Sequence, residues 1–269
     1  QIVANERDIQ PPEAVGRGLE DKVPGFIIGG RANEPCPNDS ITGQAPGACG
    51  TTVWYWYSDL EFCNGTLCRR VRAEDFPKTG VLDPNDPNDV IGTIRWFGIY
   101  VDSQANGCSK PVHAFRVRFY NDVSGAPDPN YVYTEDVVAT AVNTGETVQL
   151  GSGAPSIRWM FTVVLTTPRQ MTRGWFAVTG RGTAGCFHLW EGSDDGGNHN
   201  VYQWWEQGAP TPVSDTTSCD LNYCLGVKKI GACCDDRTLI CQENVPKVAC
   251  DALGGRFRWD QLCSSFGDP

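Results

Sequence analysis

The chain has 269 residues, including 13 cysteines, only three histidines, 30 glycines and 18 prolines, and carries a formal net charge of −10. An acidic body repels phosphate backbones, and no Lys/Arg stripe interleaves with aromatics, so nucleic acid is excluded as a partner. No apolar run approaches the roughly 20 residues that a membrane helix needs; the densest, Trp159 to Leu165, is strand-length, which argues against membrane insertion.

Many Trp, Tyr, Phe, Val and Thr residues set among glycine and proline favour short strands and frequent turns, and the two methionines and sparse Ala/Leu/Glu/Lys runs leave little material for helices. The cysteines are irregularly spaced and offer no four-ligand zinc set. Disulfides in an oxidising compartment are the expectation. A start at Gln1, without Met or an apolar leader, is what a cleaved secretory signal would leave behind.

Residues 1–50 read as an extended N-terminal arm, because Pro11, Pro12, Pro24, Pro35, Pro37 and Pro46 interrupt them and Phe26 is their only aromatic. Two pieces, Ile2 to Ile9 and Gly25 to Ile28, hold enough apolar side chains to add to a sheet edge but not to fold alone. From Thr51 to Leu225 the pattern turns to alternation. Trp54 and Trp56 oppose Tyr55 and Tyr57; Phe115, Val117 and Phe119 alternate with Arg116, Arg118 and Tyr120; Ile157, Trp159, Phe161, Val163 and Leu165 alternate with Arg158, Met160 and Thr162. With Ile91–Val101, Tyr131–Thr140, Glu146–Leu150, Gly174–Thr179, Cys186–Glu191 and Val201–Trp205 this makes about nine strands, the number of a two-sheet sandwich. The expected fold is all-β, a jelly-roll-like β-sandwich over residues 51–225 with a small cysteine-rich module at 226–269. In that module Asn244 reads as a helix cap, with Pro246 in the first turn, Cys250 inside and Gly254-Gly255 as the stop.

The runs IRWFGIYVDSQ (Ile94 to Gln104), FRVRFYNDVSGAPDPN (Phe115 to Asn130), RGWFAVTG (Arg173 to Gly180), CFHLWEG (Cys186 to Gly192), YQWW (Tyr202 to Trp205) and DLNYCL (Asp220 to Leu225) together resemble a β-sandwich domain of large secreted and surface proteins of environmental bacteria. The segment GACCDDRTLICQENVPKVACDALGGRF (Gly231 to Phe257) is similar to a small cysteine-rich GACC-type module of the same kinds of protein, which usually ends with one more cysteine than this chain. The resemblance implies an extracellular location and a sandwich fold, and carries no catalytic or binding residue with it.

Cys63 and Cys68 flank Asn64-Gly65, the strongest short hairpin-turn signal, so a disulfide clamping a hairpin tip is expected there. Cys36 with Cys49, Cys108 with Cys186, and Cys219 with Cys224 are the further pairs expected. Adjacent Cys233 and Cys234 are expected to seek distant partners, because a vicinal bond strains the peptide between them. Together with Cys241, Cys250 and Cys263 they make an odd thiol count, which leaves one sulfur either buried and inert or bonded to another molecule. Asn38 and Asn64 fit the Asn-X-Ser/Thr acceptor rule for glycosylation.

Two acidic loops, one with Asp83, Asp86 and Asp89 and the other with Asp194, Asp195 and Asn198, carry the oxygen donors that Ca2+ takes, although a solvated turn explains the same residues and is the better reading. Trp190, Trp204 and Trp205 are the side chains from which a sugar-binding platform would be built. Enzyme chemistry has thin support. His113, His188 and His199 stand in no nucleophile or zinc motif, and a carboxylate pair such as Glu191 and Asp194 would be needed for a glycosidase. No catalytic residue and no cofactor beyond Ca2+ is assigned.

The leading expectation is therefore a structural subunit of an extracellular filament or surface layer, a homopolymer in which the N-terminal arm completes a neighbour's sheet. A secreted carbohydrate-binding module, with glycans as partners, is the alternative. An arm that folds back over its own sandwich would account for the same sequence, so the arm's contacts decide between them.

Overall fold

The computed structural model describes residues 22–28, 36, 40–46, 53–64, 67–76, 91–171, 173–182, 185–193, 201–207, 209–215, 219–227, 230–235, 240–246, 250, 255–259 and 263. The strands run in chain order as β1 (Lys22–Ile28), β2 (Ser40–Gln44), β3 (Val53–Tyr57), β4 (Asp59–Asn64), β5 (Leu67–Phe76), β6 (Ile91–Val101), β7 (Ala114–Val123) and β8 (Ala126–Val138). They continue as β9 (Thr140–Leu150), β10 (Ser156–Arg169), β11 (Gly174–Gly180), β12 (Phe187–Ser193), β13 (Val201–Gln207), β14 (Ala209–Asp215), β15 (Asp220–Leu221) and β16 (Tyr223–Val227). The C-terminal module adds β17 (Ile230–Asp235), β18 (Ile240–Pro246) and β19 (Arg256–Trp259). The protein is all-β.

The strands form three sheets. A large one contains β1, β2, β3, β6, β9, β10, β12, β15 and β16; a second runs β14-β13-β5-β4-β11-β7-β8; and the module forms the third, β18-β17-β19. The first two pack against each other through a core that includes Trp56, Ile94, Trp96, Tyr100, Phe115, Val117, Phe119, Phe161, Val163, Phe176, Trp190 and Tyr223. Period-2 alternation explains which residues arrive there. Phe115, Val117 and Phe119 of β7 face the core, and Tyr120 packs on the other side of the second sheet with Trp175 and Trp204.

The large sheet also closes on itself. β12 pairs with β3 on one edge and β6 on the other, as the double partnership of Leu189 with Tyr57 and Ile99 shows. β6 pairs with β10, β10 with β9, β9 with β1, and β1 with β3, every one of these pairings antiparallel. Six strands thus make a closed ring with its own apolar filling, Tyr55, Tyr57, Ile99, Val101, Val148, Leu150 and Leu189 among it. Closure removes unpaired strand edges. At Gly25, the middle of β1, a Cβ would stand 2.6 Å from the Tyr55 ring and 2.9 Å from Val148, so the ring interior has room for this strand only without a side chain there.

Of the segment expected as an arm, Lys22–Ile28 and Ser40–Gln44 are strands of this chain's own large sheet. The Ile2 to Ile9 piece lies outside the described residues. The helix expected from Asn244 is corrected: Asn244 and Pro246 end β18, with Val245 opposite Gly231 and Pro246 opposite Ile230, and helical backbone is found at Cys250. β18 is an edge strand, where proline removes no needed ladder bond.

The burial expected of Ile157 in β10 is corrected. Phe161, Val163 and Leu165 are buried, but so are Ser156 and Arg158, while Ile157 is exposed. Ile157 pairs with Thr147 and Trp159 with Asn143, so the extra residues of this irregularity lie on β9 and β10 keeps one parity: Phe161, Val163 and Leu165 face the second sheet, while Ser156 and Arg158 face the ring interior.

Phe161 touches no solvent and packs its ring against Trp96, Tyr100, His113, Phe115 and His188. Phe161→Ala should lower unfolding free energy by about 3–5 kcal/mol. Urea denaturation of the oxidised protein checks this, with a lower midpoint and unchanged slope as the expected result.

Candidate functional site

Two buried charge centres stand out against this apolar background. The first is inside the ring. Arg158, on the face of β10 opposite Phe161 and Val163, points into the ring, where it meets Glu146 of β9, Glu191 of β12, Tyr55 of β3 and Phe97 of β6. Arg158 Nε donates to Glu191 Oε2 at 2.7 Å and Nη2 to Oε1 at 3.0 Å, a two-pronged pairing, and Nη1 donates to Glu146. The Tyr55 hydroxyl donates to Glu191 Oε2 at 3.3 Å, and the guanidinium lies 4.3 Å from the Phe97 ring centre. Burial works against the Arg158 charge, but the Glu191 carboxylate outweighs it and holds the guanidinium above its ordinary range. Four ring strands are thereby tied through one cation.

The second centre lies where the two sheets meet. Lys110 Nζ is 3.0 Å from Asp59 Oδ2, and neither side chain is exposed to solvent. Lys110 also donates to the Arg181 carbonyl at 3.3 Å. Asp59 accepts the Glu61 N–H on Oδ1 at 2.8 Å and the His188 N–H on Oδ2 at 2.9 Å. Burial pushes the Asp59 carboxyl above the usual range, with Lys110 pulling the other way. His188 is neutral in a defined tautomer: the Trp96 indole N–H can only donate, so Nε2 accepts it at 3.3 Å and Nδ1 carries the proton given to the Ser58 carbonyl at 3.1 Å. Burial pushes this imidazole down to about 3. Both ring nitrogens are occupied, which leaves His188 no nucleophile to activate. His113 is half-buried and its Nδ1 lies 3.1 Å from the Tyr100 hydroxyl.

A third polar tie spans both sheets, since the Glu74 carboxylate accepts Gln44 Nε2 at 3.2 Å and the Leu221 N–H at 2.7 Å. Asn222 joins β6 to β12 in the same manner, accepting the Phe97 N–H at 2.7 Å on its side chain and the Trp190 indole N–H at 2.7 Å on its carbonyl. These groups consume one another's hydrogen-bonding capacity. Such networks fix one arrangement of strands.

The disulfides between described residues fall in four places. Cys63 is bonded to Cys68 across the β4–β5 hairpin, where Asn64 pairs with Leu67, and Cys108 is bonded to Cys186. Cys233 is bonded to Cys250 and Cys234 to Cys241 within the module. Two expected pairs are corrected. Cys36 is bonded to Cys224, and neither to Cys49 nor through Cys219–Cys224, because β16 pairs with β2 and brings Cys224 opposite Gly43. Cys219 is disulfide-bonded as well, and Cys263 is half-buried.

The tryptophans set out for a sugar platform are corrected. Trp190 is fully buried and Trp204 and Trp205 nearly so, the latter two on different cores, so their ring faces are spent on packing. Glu191, one half of the carboxylate pair considered for a glycosidase, is fully buried with both oxygens engaged by Arg158. Asp83, Asp86, Asp89, Asp194, Asp195, Asn198, His199, Asn38 and Cys49 lie outside the described residues, as does the side chain of Asn64. Among the described residues no group of three His, Cys, Asp or Glu side chains gathers as metal ligands would. No helix among them is long and apolar enough to cross a membrane. The disulfides are consistent with an extracellular protein.

Sequence reasoning missed Arg158, Asp59 and Lys110. The available signal was a charge inside an apolar alternation, as at Arg158 in Ser156-Ile157-Arg158-Trp159.

Compared with family models, curated proteins and solved structures, the chain gives no match.

Replacing Glu191 by Gln takes from buried Arg158 its two-pronged carboxylate partner and should cost about 3–5 kcal/mol, with Arg158→Met closer to neutral because it removes the charge itself; chemical denaturation distinguishes the two. A pH effect follows from His188. Its ordinary value of 6.5 applies once unfolded, and its folded value is about 3. Unfolding therefore takes up a proton in that window, so the His188 contribution is complete above about 6.5 and declines as pH falls toward about 3, by ~1.4 kcal/mol per pH unit at most. Asp59, with its raised carboxyl, contributes in the opposite sense. The His188 share is read by difference: the stability gap between wild type and His188→Gln should be narrower near pH 5 than near pH 7.

Proposed function

We propose that this protein is a structural subunit of an extracellular filament or surface assembly, secreted through a cleaved signal peptide, whose copies are joined by exchange of the N-terminal strand. In a single copy β1 is folded back on its own sheet, and the observation that carries the exchange reading is the place it holds there. Among the described residues it alone joins β3 to β9, with Lys22 to Gly25 opposite Trp56 to Val53 and Gly25 to Ile28 opposite Leu150 to Thr147. Without β1 the ring is left with a gap one strand wide, bordered on both sides by unpaired backbone groups.

A gap of that width accepts the same segment from another copy in the same register, and exchange of an identical element is a low-cost route to association. Repeated head to tail without closing, the exchange yields a fibre. The disulfides support the extracellular part of the reading, since each restricts the unfolded chain by about 2–4 kcal/mol and persists only where oxidation is maintained. The resemblance of the Ile94–Leu225 runs to sandwich domains of bacterial surface proteins points the same way.

Deleting residues 1–30 should give a soluble monomer that no longer polymerises, and a synthetic peptide of those residues should bind it and raise its melting temperature. Light scattering and negative-stain images of full-length and truncated protein provide the test. Polymers formed by the truncated chain would overturn the reading.

A further inference from the structure

Lys110 follows Cys108 by two residues on the loop between β6 and β7, and the Cys108–Cys186 disulfide holds that loop against the start of β12. Its amine therefore enters the interior from a tethered segment. Asp59 opens β4 and is held just as firmly, with one backbone N–H on each oxygen. The Tyr100 ring centre is 5.3 Å from Nζ. On the far side is Gly180, where a Cβ would stand 2.4 Å from Asp59 Oδ2, so only glycine lets the carboxylate take this position. An amine and a carboxyl group are thus fixed in contact, 3.0 Å from nitrogen to oxygen, with no exposure of either side chain.

We infer that Lys110 and Asp59 condense into an intramolecular isopeptide bond. The balance needs no other reactant. A proton first crosses from Nζ to Oδ2, leaving an amine and a carboxylic acid; burial, which favours the uncharged acid at Asp59, assists this transfer. The nitrogen lone pair then attacks Cγ, a C–N bond forms, and the negative charge that develops on Oδ1 is met by the Glu61 N–H. A second proton moves from the nitrogen to Oδ2, the Cγ–Oδ2 bond breaks and water leaves. Oδ1 remains as the amide carbonyl, and the one hydrogen left on Nζ is available to the Arg181 carbonyl.

Fixed geometry is what this reaction requires of the protein. Holding two reactants in contact converts a bimolecular step into a unimolecular one, and a dry site does not return the water that leaves. The product ties the β6–β7 loop to β4 by a bond that reducing agents do not cleave. This inference is independent of strand exchange, because the bond lies within one copy.

The test is tandem mass spectrometry of the wild-type protein after complete reduction and proteolysis. The expected result is a branched peptide uniting the segments of Asp59 and Lys110, lighter by one water than their sum. Asp59→Asn should yield the same branched product with loss of ammonia instead, whereas Asp59→Ala and Lys110→Arg should yield none. Recovery of both wild-type segments solely as linear peptides of full mass would overturn the inference, as would the branched product persisting in Lys110→Arg.

Discussion

The large antiparallel sheet of this protein curls until a single gap is left between β3 and β9, and one short N-terminal strand fills that gap. β1 has at its central position a glycine pressed against Tyr55. Its value lies in pairing both edges at once. With β1 in place, Ile99 and Val101 of β6 and Phe187 and Leu189 of β12 face the ring interior while Trp96, Tyr100 and Trp190 face the second sheet, so each strand serves two cores. Removing it would return β3 and β9 to the state of open edges, which proteins either cover or use for association.

Charge is then a second organiser. Arg158 and Glu191 sit at the ring centre, and Lys110 and Asp59 meet as charges at the sheet junction before they condense, each pair without solvent exposure. Buried ion pairs contribute little net stability compared with well-packed apolar groups, but a mispaired register would leave each charge alone at far greater cost. They accordingly act on specificity, selecting one alignment of β9, β10 and β12 over alternatives that the apolar side chains would tolerate.

Much of the fold was legible in the sequence. The alternation of Phe115, Val117 and Phe119 with Arg116, Arg118 and Tyr120 places β7 correctly between two packed faces, because a regular strand keeps its parity. The same logic separates Arg158 from Phe161 and Val163 correctly but does not show that the Arg158 face lines a second core, and it misplaces Ile157, which is exposed. The β4–β5 hairpin is a local feature with a local signal. By contrast, Cys36 and Cys224 are 188 positions apart and meet only through the pairing of β2 with β16, which nothing near either cysteine encodes. The candidate site was less legible still: Lys110 and Asp59 stand in unrelated segments and become partners only when the disulfide-tethered loop folds over the sheet junction.

The central claim, that the ring-closing strand is the element shared between copies, is tested most directly by placing cysteines at Phe26 and Gln149, which face each other across β1 and β9. After assembly and oxidation, followed by denaturing electrophoresis without reductant, strand exchange predicts a ladder of covalently joined chains. A product that migrates entirely as cross-linked monomer would contradict it.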